Sequence, residues 1–227
     1  MRYRRLHAWD VTPTEAIRLQ ETLRGRVVLR DESPRAFRTV AGMDVSYDRR
    51  SPWLFAAAVV LRLPDLEAVD HAAVRTRAVF PYVSGLLSFR ESPAGLAVWE
   101  RLRTRPDCLL CDGHGYAHPR RFGFACHFGL LVGLPTIGCA KSVLVGEYRE
   151  PGATPGSLSD LVQDGEVVGA AVRTREGAKP VFVSAGHRTS LWRAVETVLA
   201  CSPMYRIPEP VRRAHALVNL LRAARMR

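Results

Sequence analysis

The chain has 227 residues, 47% of them hydrophobic and 24% charged, with a formal net charge of +11 in which Arg far outnumbers Lys. That length suits one domain over residues 1–227 with a substantial core. No apolar run approaches the ~20 residues of a spanning helix, and the basic start MRYRRLHAWDVTPTEA lacks the apolar segment of a secretory signal.

So basic a chain favours a polyanion, either nucleic acid or an anionic membrane, although an Arg-rich genome produces the same excess with no partner implied. The five cysteines (Cys108, Cys111, Cys126, Cys139 and Cys201) sit in apolar surroundings. An odd set of this kind reads as buried thiols of a reducing compartment, so a cytoplasmic location is expected.

In chain order, Thr12-Pro13-Thr14-Glu15 forms a capping box with Pro at the first helical position, and Ala16, Leu19 and Leu23 continue it at helical spacing over 13–25. FRTVAGMDVSYD (37–48), PWLFAAAVVLRL (52–63) and EAVDHAAVRTRAVF (67–80) read as strands joined by the short turns DRRSP and PDLE, a hairpin meander. PYVSGLLSFRESPAGLAVWERLR opens as a loop and becomes a helix near Ser92-Pro93. DCLLCD is a buried strand, residues 122–134 a helix-length apolar segment, and PTIGCA (135–140) a short strand. GEVVGAAVRT and KPVFVSAGH are further strands, with helices around 189–200 and 209–225 closing the chain. Strands giving way to βα alternation point to an α/β or α+β fold with a mixed sheet.

Two acids interrupt apolar strand patterns: Asp44 in VAGMDVSY and Asp112 in CLLCDGHG. A lone buried carboxylate costs several kcal/mol unless paired or ligated. Brought together on neighbouring strands, the two would repel unless a cation lay between them. Hard oxygen ligands suit Mg²⁺ or Mn²⁺, and Glu91 at a helix start is a candidate third ligand. Taken singly, each acid is better explained by a salt bridge or a cap; the glycines and basic residues clustered around two of them favour a shared site. Gly113 and Gly115 would let the backbone approach a ligand, and Arg120 and Arg121 are placed to reach phosphates.

Cys108-Leu-Leu-Cys111 has C-x-x-C spacing, but on a strand the two thiols face opposite ways and no second pair completes a zinc site. His114 and His118 are four apart, yet Gly115 and Pro119 argue against the helix a zinc pair needs. His127 reads as a core histidine; His7, His71 and His215 have no evident partner. The basic closing segment VRRAHALVNLLRAARMR reads as a solvated helix face, with a phosphate-binding surface as the alternative.

VAGMDVSYD, PYVSGLLSFRE, DGHGYAHPRRFGFACHFGLL, PTIGCAKS, VSAGHRTSL and YRIPEP occur in an order and spacing that resembles endonuclease V, the enzymes that nick nucleic acid beside deaminated adenine. The resemblance runs from about residue 10 to about 215. It implies a ribonuclease H-like fold, a central mixed sheet with helices on both faces, in which the first three strands form an antiparallel meander and the DCLLCD strand lies parallel to the first.

By the same resemblance Asp44, Glu91 and Asp112 bind Mg²⁺, with Mn²⁺ as a substitute. His187 lies close to the metal, and Lys141 steadies the scissile phosphate or orients the water. Tyr82 sits in the segment that wedges the strands apart. Gly85, Leu87 and Gly113 belong to the pocket for the flipped base, and His118 lies beside the lesion-side backbone. The implied product is a nick one nucleotide beyond inosine on its 3′ side, with 3′-hydroxyl and 5′-phosphate ends, made by a monomer without a membrane partner. Two positions depart from the family pattern: the wedge reads Pro81-Tyr82-Val83-Ser84 where a second proline is usual, and Ser142 replaces a frequent lysine. The rival readings are a ribonuclease acting at inosine, a structure-selective nuclease of the same fold, and a catalytically idle nucleic-acid-binding homologue.

Overall fold

The computed structural model describes residues 1–33, 35–47 and 51–224. The capping box forms as the sequence predicts: Thr12 and Glu15 bond reciprocally, Pro13 opens α1 (Pro13–Leu23), and a 3-10 turn follows at Arg24–Arg26. The meander consists of β1 (Thr39–Tyr47), β2 (Trp53–Arg62) and β3 (Glu67–Arg77), paired antiparallel in succession. Residues 48–50 of the DRRSP turn, with residue 48 of the first strand and residue 225 of the last helix, lie outside the described residues.

The remaining elements are α2 (Leu87–Arg101), β4 (Cys108–Cys111), α3 (Phe124–Val132), β5 (Thr136–Ala140), β6 (Glu147–Tyr148), β7 (Leu158–Gln163), β8 (Glu166–Val172), β9 (Val181–His187), α4 (Leu191–Ala200) and α5 (Glu209–Ala224). They complete one mixed sheet in the order β3-β2-β1-β4-β5-β9-β8-β7-β6. The β1–β4 and β4–β5 pairs are parallel and the others antiparallel.

Period-two alternation divides the core between the two faces. Ala41, Met43, Leu109 and Cys111 face α2 and α3, packing with Trp99, Phe128 and Leu131. Val40, Cys108, Leu110 and Ile137 face α4 and α5, packing with Val195, Val198, Val211 and Ala214. Helices therefore cover both faces of the sheet, the ribonuclease H-like arrangement. Cys108 and Cys111 fall into opposite cores, so C-x-x-C here is two separate buried thiols.

Three expectations are corrected. Helix α2 begins at Leu87, not at Ser92-Pro93, and carries Pro93 internally. Pro93 removes one helical hydrogen bond, but Leu86 and Phe89 are buried against Phe80 and Ala16, which anchors the first turn. Strands β6 and β7 have no counterpart among the predicted elements; β6 is exposed, β7 fully buries only Leu161, and each is held by its β8-side neighbour. The closing helix is not merely a solvated face, because α5 buries Val211, Ala214 and Val218 over β1 and β2.

The approach of α5 to β1 is made possible by Gly42, where an added Cβ would lie 2.0 Å from the Pro210 carbonyl carbon. Backbone on both sides leaves nothing to rotate away. Gly42→Ala is therefore expected to destabilise the chain by about 1–3 kcal/mol, the usual cost of overpacking. Urea unfolding reads the effect, with Gly25→Ala, which meets nothing within 4 Å, as the control.

Candidate active site

Parallel pairing puts the two acids side by side. Met43 pairs with Cys111, and the Asp112 N–H donates to the Met43 carbonyl at 3.1 Å, so Asp44 and Asp112 occupy equivalent places at the ends of adjacent central strands. Both lie on the α5 face, and α5 supplies His215, whose Nδ1 donates to Asp44 Oδ2 at 2.7 Å. Lys141, just beyond β5, donates to Asp112 Oδ2 and forms an ion pair with it. One ligand atom from each of Asp44, Asp112 and His215 lies within 4.8 Å of the others.

Glu91 reaches the same region from α2, in the opposite helix layer, and is buried. Burial raises its pKa well above the ordinary value, and the nearby Asp44 and Asp112 carboxylates push it further, against a smaller opposing effect of Arg90. Asp112 is also raised, first by burial and then by Asp44, while Lys141 acts in the other direction. Three carboxylates held this close repel unless a cation shares them. Oxygen donors with one imidazole suit a small divalent ion.

His215 is one of three histidines without an evident partner in the sequence; its place beside Asp44 depends on the α5 packing, which no local pattern announces. His187, expected near the metal, stands elsewhere. It pairs with Thr136 at the start of β5, level with Leu109, so it lies about 10 Å down the sheet from Asp112 and two strands across. There its Nδ1 accepts from the Val28 N–H at 3.2 Å. Burial, with Arg188 and Arg4 nearby, lowers its pKa to about 4. His7 also has a partner, His127, at 2.7 Å.

Arg120 and Arg121, expected to reach phosphates, make internal bonds. Arg120 donates to Gly85 O at 2.9 Å and to Gln20 Oε1 at 2.5 Å. Arg121 bonds Glu166 at 2.7 Å and Gln163 at 2.6 Å, tying the DGHG loop to the β7–β8 hairpin. Gly115 likewise serves packing: a Cβ there would lie 2.3 Å from Ala185 O of β9.

Beside the acids is a cavity of about 120 Å³ lined by Gly85, Leu87, Ser88, Gly113, His114 and His118, with Tyr82 at its edge, 62% exposed. Gly85 adopts φ +75°, a conformation that favours glycine. Its carbonyl accepts from Gln20, His118 and Arg120. His118 therefore buttresses the loop that carries Tyr82 and Gly85 from within. Gln20, buried in α1, is a structural member of the site that its helix pattern hid. Among the described residues, buried His114 Nδ1 at the cavity wall finds no hydrogen-bond partner.

A mixed sheet between helix layers, with carboxylates meeting at the ends of parallel central strands beside a cavity, defines a nuclease of the ribonuclease H-like class. The family model for Endonuclease V matches residues 21–216. Endonuclease V of Gloeobacter violaceus is 52% identical over 223 residues, covering 97% of this chain and 90% of the relative. The crystal structure of Endonuclease V from Streptomyces avermitilis superposes with a TM-score of 0.92 at 46% identity, covering 97% of each chain. That of Ciona intestinalis Endonuclease V, in complex with a 23-mer DNA containing an inosine followed by a ribo-adenosine, superposes at 0.79 and 31% identity, covering 92% of this chain and 97% of that one. The chain belongs to the endonuclease V family.

The raised pKa of Glu91 has a consequence for stability. An acid whose folded pKa exceeds its ordinary 4.5 binds an extra proton when folded. Its favourable contribution is therefore complete below 4.5 and is lost as pH rises through the folded value. In chelator, Glu91→Gln is expected to raise the melting temperature at pH 8 but not at pH 4. Added divalent ion should stabilise the wild type more at pH 8 than at pH 5 and stabilise the variant less. Thermal melts across that grid check it.

Proposed function

We propose that this nuclease nicks nucleic acid on the 3′ side of inosine, one nucleotide beyond the lesion, leaving 3′-hydroxyl and 5′-phosphate ends, with Mg²⁺ as the ion and Mn²⁺ as a substitute. The observation that carries the reading is the adjacency of Asp112 and Gly113: one residue belongs to the acidic cluster, and the next lines a base-sized cavity. An inosine-containing DNA bound to the Ciona relative supports the choice of lesion. Asp44, Asp112 and Glu91 would hold the ion, with His215 beside them in the role first given to His187. When bound, such an ion lowers the pKa of a water and neutralises charge developing on phosphate.

The chain's own groups supply the rest. Lys141, half-exposed beside Asp112, presents an ammonium to the scissile phosphate. The Nδ1–H of His215 holds the Asp44 carboxylate in one orientation. A hypoxanthine pairs weakly, so extruding it is cheap, and the Gly85 turn, fixed by three donors, keeps the receiving cavity open. Tyr82, exposed on the wedge loop, stacks into the vacated gap. Ser84, exposed beside it where the family usually has proline, leaves this loop less constrained. The enzyme acts as a monomer of one domain, inside the cell. A second reading, cleavage of RNA at inosine, draws on the ribo-adenosine that follows inosine in the Ciona complex. An idle homologue is disfavoured because the sequence carries all three acids.

Asp44→Ala and Asp112→Ala are each expected to reduce single-turnover nicking of an inosine oligonucleotide in Mg²⁺ by at least about 10³-fold, as loss of transition-state charge stabilisation does, while gel-shift binding persists. Chelator should abolish wild-type nicking, and added Mg²⁺ should restore it. Tyr82→Ala should slow nicking about tenfold or more on duplex substrate, in line with the loss of one stacking contact, and far less on a single strand. Equal slowing on both would remove Tyr82 from strand separation.

A further inference from the structure

Ser88, in the first turn of α2, is 2% exposed and lines the cavity. Its Oγ lies 3.0 Å from Nδ1 of the buried His127, whose Nε2 lies 2.7 Å from Nε2 of His7. His7 Nδ1 in turn lies 2.6 Å from the Ala8 carbonyl oxygen. Hydrogens on such a chain are assigned from its partners, and one end admits a single choice. A carbonyl only accepts, so His7 Nδ1 carries a proton. In a neutral imidazole the other nitrogen is then an acceptor, so His127 Nε2 must donate to it. His127 Nδ1 is left with a lone pair, which takes the hydroxyl proton of Ser88. Burial lowers the pKa of His7, against a smaller effect of the Ala8 bond, and lowers that of His127 well below the ordinary value, so both rings are neutral near pH 7.

With its one proton engaged by His127, the Ser88 hydroxyl presents only lone pairs to the cavity. We propose that Ser88 Oγ reads the N1 position of the extruded purine: it accepts the N1–H of a 6-oxopurine such as hypoxanthine and meets a repelling lone pair on N1 of adenine. His127 and His7 are positioning residues that fix the direction of the hydroxyl proton. This assignment rests on the inosine reading above and adds the residue that discriminates. A site built to pair a ring N–H rejects the base lacking it because a buried polar group is left unmatched.

The test uses the full chain with Mg²⁺ and compares single-turnover nicking of single strands that carry one inosine, one nebularine (a purine with a lone pair at N1 and no 6-oxygen) or adenosine alone. Ser88→Ala is expected to lower inosine nicking about 10–100-fold, the loss of a matched buried hydrogen bond, and nebularine nicking far less. His127→Phe keeps an aromatic ring among Phe89 and Phe122 but frees the hydroxyl to donate. It should narrow the inosine-to-adenosine ratio about tenfold, as expected when one polar contact loses its direction. Equal slowing of inosine and nebularine by Ser88→Ala, or no slowing, would overturn the assignment, as would an unchanged ratio in His127→Phe. A wild type that nicks adenosine strands as fast as inosine strands would overturn the inosine reading itself, an outcome visible before any variant is made.

Discussion

Two carboxylates on adjacent parallel strands cannot both stay ionised in a buried site at little cost without positive charge between them. Much of this fold arranges for that charge to be supplied. The β1–β4 register sets Asp44 beside Asp112, and Gly42 lets α5 settle close enough for His215 to reach Asp44. Lys141 answers Asp112 from the end of β5. Both compensations are partial, because Glu91 adds a third acid from the other helix layer, and its protonated form is favoured. A divalent ion resolves the conflict that these residues create.

The cavity proposed to receive the base is built on different physics and joined to the acids through one peptide bond. Its Gly85 side is held by polar groups that engage one another: the Gly85 carbonyl takes three donors, and Arg120 is clamped between Gly85 and Gln20. Arg120 and Arg121, which a linear reading assigns to phosphate, hold the loops around this cavity through internal bonds. In the proposed mechanism a base enters a preformed slot, and its sugar–phosphate is delivered to the acids by the Asp112–Gly113 step.

Local chemistry was readable where it is self-contained. The Thr12–Glu15 capping box, the apolar run of β2 and the acid terminating CLLC each declare themselves within a few residues. The start of α2 did not, because the apolar anchoring of Leu86 and Phe89 outweighs the signal of an internal proline. Strands β6 and β7 carry little apolar pattern, since their pairing with a neighbour, not burial, defines them. Long-range partners were the main loss. His215 and Asp44 are 171 residues apart, and Gln20 and Arg120 are 100 apart, so neither contact leaves a periodic trace. His187 was misplaced for the same reason: a family motif identifies the residue, but only the β5–β9 register shows which end of the sheet it occupies.

The claim that a divalent ion sits among Asp44, Glu91 and Asp112 is tested most directly without nucleic acid, by titrating the protein with Mn²⁺ and following the free-ion electron paramagnetic resonance signal. The account predicts saturable binding in the wild type that Mg²⁺ displaces and that Asp112→Asn removes. Binding of equal affinity and stoichiometry in Asp112→Asn would place the ion elsewhere and contradict it.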